Sequence, residues 1–239
     1  MLLDDYKVVK HNSLINAKSK YKYTLNELKL ICHLIANILP TDTNLETKKV
    51  SIRDLNFIVA DSNNYSKIGK ELDVLKKLET KSIQLPNGYI VNWFSCLKYE
   101  NGFIEYSFDT RLKEFLLNIN SNFTSYYLTN VLNLKSAYSI RIFELLFQLK
   151  DKGYRTIFLN DLRECLGIPI SYSNKDIRRL IQNVQKDLQL HTTIQFEFKI
   201  VKKGRIFHKV EFIIKNNKKV KGVSYCIANN KTKTIKPKA

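Results

Sequence analysis

No stretch of this sequence approaches the ~20 consecutive apolar residues of a membrane-spanning helix, so insertion into a bilayer is not expected. The opening "MLLDDYKVVKHN" has acids where a secretory signal needs an apolar block after basic residues, and the chain is expected to stay in the cytoplasm. Cysteine is sparse and scattered: Cys32, Cys96, Cys165 and Cys226 form no CxxC pair and have no histidine at ligand spacing. Neither a zinc site nor a disulfide framework is indicated, and the thiols read as buried and reduced. P-loop, GxSxG, HExxH and paired-carboxylate motifs are all missing. The reading therefore contains no catalytic residue, no metal and no cofactor.

Acidic residues are also in short supply. There are 40 Lys and Arg against 22 Asp and Glu, a net charge of +18, and the isoelectric point is near 9.6. Such an excess calls for a polyanionic partner, although nucleic acid, an anionic membrane surface and acidic proteins all satisfy it. Residues 215–239 hold eight lysines and no acid, and residues 216–239 read as a basic, disordered tail. Removing those eight charges from +18 leaves +10, so the folded body is itself basic.

The remaining 44% apolar content can fill real cores in one large domain or two ordinary ones. "YTLNELKLICHLIANIL" starts with a Thr24–Glu27 capping box and continues with Leu28, Ile31, Ile35 and Ile38 at helical spacing, ahead of Pro40. A short strand and helical turn follow at "VSIRDLNFIV", then the amphipathic "YSKIGKELDVLKKLETKS". Two Asn-Gly hairpin signals come next, "LPNGYI" and "YENGFIEY", flanked by the alternating Trp93, Ser95, Leu97 and Tyr99.

That order of elements then recurs. "LKSAYSIRIFELLFQLKDKG" is a long apolar helix, "TIFLNDLRECLGIP" a strand and short helix with a Gly-Ile-Pro stop, "SYSNKDIRRLIQNVQKDLQ" a third helix, and "TTIQFEFKIVKKGRIFHKVEFII" a hairpin about Lys203-Gly204. Ile52-Arg53-Asp54-Leu55 matches Leu159-Asn160-Asp161-Leu162, and Tyr65-Ser66 matches Tyr172-Ser173, both at an offset of 107 residues. The fold is therefore expected to be α+β, with two tandem modules related by internal duplication. The expected divisions are an N-terminal arm (1–20), a first module (21–120), a second module (121–215) and the tail (216–239), with the boundary in the polar residues Asn118 to Ser125.

In the third helix of the second module, Ser173 and Asp176 have capping-box spacing, and Ile177, Leu180, Ile181, Val184 and Leu188 form one apolar stripe. Lys175, Arg179, Gln182 and Lys186 fall opposite it, with Arg178 and Asn183 on the flanks. Arg, Gln and Asn can pair bidentately with base edges, whereas Lys is a point charge suited to phosphate. Most surface helices are polar outside and bind nothing. Here, however, the helix follows two others and precedes a hairpin tipped by Lys202, Lys203, Gly204 and Arg205, the layout of a winged helix-turn-helix. The first module repeats the plan more weakly: Ser66, Lys67, Lys70, Lys77 and Lys81 are its candidate contacts, diluted by Glu71, Asp73 and Glu79. Phosphate positioning is one reading and partner contact a rival, with Asn87-Gly88 as its expected wing.

"SAYSIRIFELLFQLKDKGYRTIFLNDLRECLGIPISY" and "TTIQFEFKIVKKGR", together with "VVKHNSLINAKSKYKYTLNELKLI", resemble the iteron-binding replication initiators of theta-replicating plasmids, over roughly residues 8–215. The resemblance implies two tandem winged-helix domains, binding to directly repeated origin sites on double-stranded DNA, and opening of adjacent AT-rich DNA. It further implies recruitment of a host initiator and the replicative helicase, a homodimer in equilibrium with monomer, and repression of the protein's own gene by the dimer. The recognition helix carried over is Asn174 to Leu188, with a wing from Lys199 to Lys209. One departure is Asp176-Ile177-Arg178-Arg179, where relatives usually have a Phe-Lys pair near the helix start, which leaves the DNA sequence read open.

Initiators that nick DNA use a tyrosine with a His-x-His metal cluster, and His11, His33, His191 and His208 show no such spacing. The protein reads as a non-enzymatic DNA binder. A dedicated winged-helix repressor with no replication role is the alternative. A structured-RNA binder is disfavoured, because winged helices fit the B-form major groove better than the deep, narrow groove of RNA.

Overall fold

In the computed structural model of the protein, which describes residues 6–19, 21–55, 68–85, 87–117 and 119–217 (without the side chains of 53 and 68–73), the first long helix begins at its capping box. Thr24 accepts from the Glu27 amide at 3.3 Å, and Glu27 accepts from the Thr24 amide at 2.8 Å. Each side chain thus satisfies an amide that a helix N-terminus would otherwise leave orphaned. The helix, α2, runs Leu25–Ala36 and buries Leu28, Ile31 and Ile35 as its spacing requires. It stops at Asn37, three residues ahead of Pro40.

Before it come β1 (Lys7–His11) and the single turn α1 (Asn12–Ile15). After it the first module continues through β2 (Lys48–Ser51), a 3-10 turn (Ile52–Leu55), α3 (Ile68–Glu79), β3 (Ser82–Gln84), β4 (Ile90–Asn92), β5 (Phe94–Glu100) and β6 (Phe103–Phe108). A linking stretch holds α4 (Lys113–Leu116), β7 (Phe123–Tyr127) and α5 (Thr129–Leu132). The second module comprises α6 (Ala137–Phe147), β8 (Tyr154–Phe158), α7 (Leu159–Leu166), α8 (Asn174–His191), β9 (Ile194–Lys203) and β10 (Ile206–Asn216).

The duplication is visible in the sheets. The first module's three strands lie in the order β2-β6-β5 and the second's in the order β8-β10-β9, so in each the strand after the first helix pairs with the last strand of the hairpin. Each sheet with its three helical segments makes a winged-helix domain. This equivalence corrects the wing of the first module. Its counterpart of the β9–β10 hairpin is β5–β6, turning at Asn101 (φ 50°) and Gly102 (φ 82°), a turn that needs two left-handed residues. The Asn87-Gly88 hairpin is instead β3–β4, an insertion tied by a Lys18–Gln84 bridge to the segment preceding α2. Turn chemistry reports that a hairpin is present, not which sheet it joins.

Cys96 is a second correction. It is exposed, because an irregularity in β5 between Phe94 and Cys96 turns Ser95 and Cys96 outward together while Phe94 and Leu97 stay buried. Cys32 is buried, Cys165 is half-buried, and Cys226 lies outside the described residues, as do residues 218–239 of the basic tail.

The N-terminal stretch is a structural joint. β1 pairs antiparallel with β7 from Lys7–Tyr127 to His11–Phe123, so residues 7–11 are stitched to the chain that leads into the second module. At this joint lies a buried ionic cluster. Glu144 on α6, 1% exposed, accepts from Lys10 Nζ of β1 and from the Tyr126 hydroxyl of β7, both at 2.6 Å, and from Arg141 Nη1 at 2.9 Å. Arg141 also donates to the carbonyls of Ile15, Ala17 and Cys165. Burial opposes the charged form of both Lys10 and Glu144, but the surrounding groups prevail. Lys10 is held above the usual lysine range, raised by Cys32 and Glu144, and Glu144 is held below the usual carboxylate range by Lys10 and Arg141. Around the cluster, Val8, Ile31, Phe143, Leu146, Leu162 and Ile177 belong to one continuous hydrophobic core that spans both modules.

Removing one partner of a buried pair strands the other charge, so Glu144→Gln is expected to cost about 3–5 kcal/mol, read from the denaturant midpoint at neutral pH. The acid limb has a defined sign. With its folded pKa lowered, Glu144 contributes fully above the ordinary carboxylate value, and the contribution is lost as pH falls through the folded value. His33, buried in α2, is pushed down from 6.5 to about 4 by desolvation, so its neutral form loses ground between those two values. Midpoints measured against pH should therefore fall first between 6.5 and about 4. The Gln variant should retain that first limb and fall less steeply below it, where other lowered carboxylates such as Asp109 still contribute.

Candidate nucleic-acid interface

The basic helix is built from its start. Ser173 accepts from the Asp176 amide at 3.3 Å, and Asp176 accepts from the Ser173 amide at 3.0 Å, closing the capping box. Those bonds to Ser173, together with the charges of Arg179 and Lys175, hold the Asp176 carboxyl below the usual range. α8 then runs for 18 residues with Ile177, Leu180, Ile181, Val184 and Leu188 buried against the core. Lys175, Arg178, Arg179, Gln182, Asn183 and Lys186 are all exposed on its outer side.

Both acids on this helix are engaged elsewhere. Asp176 serves the cap and meets Arg179 at 3.1 Å, an exposed pair that solvent screens and that adds little to stability. Asp187 is turned inward, accepting from the Lys135 amide at 2.9 Å and lying 3.8 Å from His191. The outward face that remains is cationic and amide-bearing, with Coulombic attraction for phosphate and donor geometry for base edges.

What leads into the helix is equally constrained. Gly167 caps α7 in the left-handed region at φ +60°, and a Cβ there would lie 2.9 Å from the Tyr21 carbonyl oxygen. Arg163 reaches forward from α7, donating through Nη1 to the Pro169 carbonyl at 2.9 Å and through Nη2 to the Tyr172 carbonyl at 2.7 Å. One guanidinium thereby fixes both ends of the turn between the second and third helices.

The hairpin stands beside α8. Lys202, Lys203, Gly204 and Arg205 are exposed at its tip, and Gly204 turns at φ +62°. Phe207, unnoticed in the sequence, joins the two elements: Arg178 of the helix lies 6.0 Å from its ring and Lys202 of the hairpin 5.7 Å, on the scale of cation–π contacts. Buried between the exposed Ile206 and His208, Phe207 has the pattern of an ordinary strand residue. That it seats two basic side chains depends on how α8 crosses the sheet.

The first module's candidates do not gather in the same way. Lys77 is exposed on α3, the side chain of Lys70 is not described, and Ser66 and Lys67 lie outside the described residues. Lys81 does not share the exposed face assigned to it. α3 ends at Glu79, and Lys81 folds back to Glu27 Oε2 at 2.5 Å and the Lys22 carbonyl at 3.1 Å, lying over the Tyr23 ring. The helical periodicity that would expose Lys81 does not reach it, because the helix ends at Glu79. Among the described residues no group of three or more His, Cys, Asp and Glu converges as a metal site, and no helix is long and apolar enough to cross a membrane.

The family model described as "Initiator Replication protein, WH1" matches residues 7–147, and "Initiator Rep protein, WH2" matches residues 159–214. The chain belongs to this family of replication initiators. The solved structure titled "Crystal structure of SeMet derivatives of domain2 and domain 3 of RctB" is similar at a TM-score of 0.51 and 11% identity, over 82% of this chain and 83% of that one. At such identity the likeness concerns the fold alone. No curated protein matches. As a member of the initiator family the chain is a DNA-binding protein of plasmid replication, and both of its domains are winged helices.

Gly167→Ala tests how tightly this initiator's turn is built. A left-handed alanine facing a backbone oxygen should cost about 1–3 kcal/mol, visible as a lowered thermal midpoint. An unchanged midpoint would show that the turn tolerates a side chain.

Proposed function

We propose that the protein initiates plasmid replication by binding directly repeated origin sequences as a monomer, with α8 reading bases in the major groove and the β9–β10 hairpin gripping adjacent backbone. The observation that carries this reading is the outward face of α8: Lys175, Arg178, Arg179, Gln182, Asn183 and Lys186 all exposed, Asp187 turned inward, Asp176 held by the cap and Arg179, and Lys202, Lys203 and Arg205 alongside. In winged helices the third helix enters the groove while the wing touches backbone or the minor groove. Lys77 of α3 suits phosphate positioning by the first domain, and two domains in series would cover ~20 base pairs, about one helical turn apart.

The same reading includes opening of AT-rich DNA, recruitment of the host initiator and helicase, and repression of its own gene by a dimer, roles that membership of the initiator family supports. Chemistry on the DNA is left to those partners, and this protein acts without catalysis. Selection of bound duplexes from a random library tests the base-reading role, and a frameshift in the gene tests the replication role. Loss of plasmid maintenance is expected from the frameshift. Maintenance that survives it would make the protein a dedicated repressor.

Phosphate neutralisation by so basic a surface should make affinity fall steeply with salt, and a flat response would contradict it. On a panel of single-base variants, Arg179→Ala is expected to lose about 1–3 kcal/mol and relax preference at one position, whereas Lys203→Ala should weaken all sequences alike. Sequence-blind losses from both would remove Arg179 from the base-reading set.

A further inference from the structure

One apolar side chain stands apart on the basic side of the second domain. Ile170 is 98% exposed, against 71% for the next most exposed large hydrophobic residue among those described. Isolated exposed apolar residues are common and need no explanation by themselves. What sets Ile170 apart is how it is held. It sits in the turn between α7 and α8, flanked by the two carbonyls that Arg163 grips. The Tyr172 amide donates across it to the Pro169 carbonyl at 3.1 Å, and Ile168 on its near side is buried. The backbone is thus pinned on both sides of a residue that touches almost nothing. Its position is three residues before the Ser173 cap, so in the chain it precedes the first turns of α8, where Lys175, Arg178 and Arg179 are exposed.

The N-terminal end of a recognition helix is the part that meets base edges. In the major groove the apolar group those edges present is the 5-methyl of thymine. An isoleucine displayed on a fixed turn at that end, among cations that draw in the DNA, has a chemical mate there and none within the protein. We infer that Ile170 is a specificity-determining residue that packs against a thymine methyl at the edge of the sequence read by α8. This rests on the base-reading role of α8 proposed above.

The test uses the full-length protein and a duplex recovered from a random library, carrying one site so that one monomer binds. Each thymine is replaced in turn by deoxyuridine, which removes only the methyl group. Wild-type protein is expected to lose about fourfold in affinity at one position, the worth of roughly one methyl group taken out of water. Ile170→Ala should bind the unmodified site about fourfold more weakly and be indifferent to uridine at that position. Ile170→Val should keep part of the sensitivity. Because the side chain is exposed, the thermal midpoint of Ile170→Ala should match wild type. An Ile170→Ala interference pattern identical to wild type overturns the inference, and so does a loss of affinity seen only on tandem sites, which would assign Ile170 to contact between neighbouring copies. If wild-type protein enriches no sequence at all, the base-reading role of α8 fails first. Enrichment with a uridine pattern independent of residue 170 removes this inference alone.

Discussion

Glu144 accepts from four donors in a site with almost no solvent access: Lys10 of β1, Tyr126 of β7, Arg141 of its own helix α6 and, at 4.0 Å, the Cys32 thiol of α2. Neither charge could be buried alone, since a lone buried ion costs several kcal/mol, so Lys10 and Glu144 must arrive together. This condition couples β1 to α6, 134 residues further along the chain. Arg141 extends the coupling by tying the carbonyls after α1 to Cys165 in α7. Arg155 adds another tie, donating to the Leu145 carbonyl and to Asn16, each at 2.6 Å. The Arg-x-x-Glu spacing within "SAYSIRIFELL" thus has a structural cause: both residues join the buried cluster on Lys10, three apart on one side of a helix.

Rigidity at this cluster matters for the proposed DNA-facing surface because α8 packs on the same core. Its buried stripe, Ile177, Leu180, Ile181, Val184 and Leu188, fixes the rotation of the helix and therefore which side chains point out. Gly167 and Arg163 fix where the helix begins. A helix held at its start, along one face and through Phe207 to the neighbouring hairpin presents its donors in a set geometry. Selective pairing with base edges requires that, whereas attraction to phosphate requires only charge.

Much of this was legible in the sequence. Local rules located α2 and α8 because caps and 3.6-residue periodicity are properties of neighbouring residues. The 107-residue offset located the duplication, since β2 and the Ile52–Leu55 turn align with the last residues of β8 and the start of α7. Features set by distant pairing were not legible. Lys10, 134 residues from Glu144, looks like a surface lysine in "KVVKH". Two equal Asn-Gly signals gave no indication that the second hairpin, and not the first, completes the domain sheet. Cys96 was misplaced because an irregularity in a strand breaks its alternation without a mark in the sequence, and Lys81 because the helix ends before it.

If the buried joint makes both winged helices one cooperative body, their unfolding cannot be separated. Differential scanning calorimetry of the whole protein tests this most directly. A single transition whose calorimetric and van't Hoff enthalpies agree is predicted. Two resolved transitions would contradict the account, because each domain would then be melting without the other.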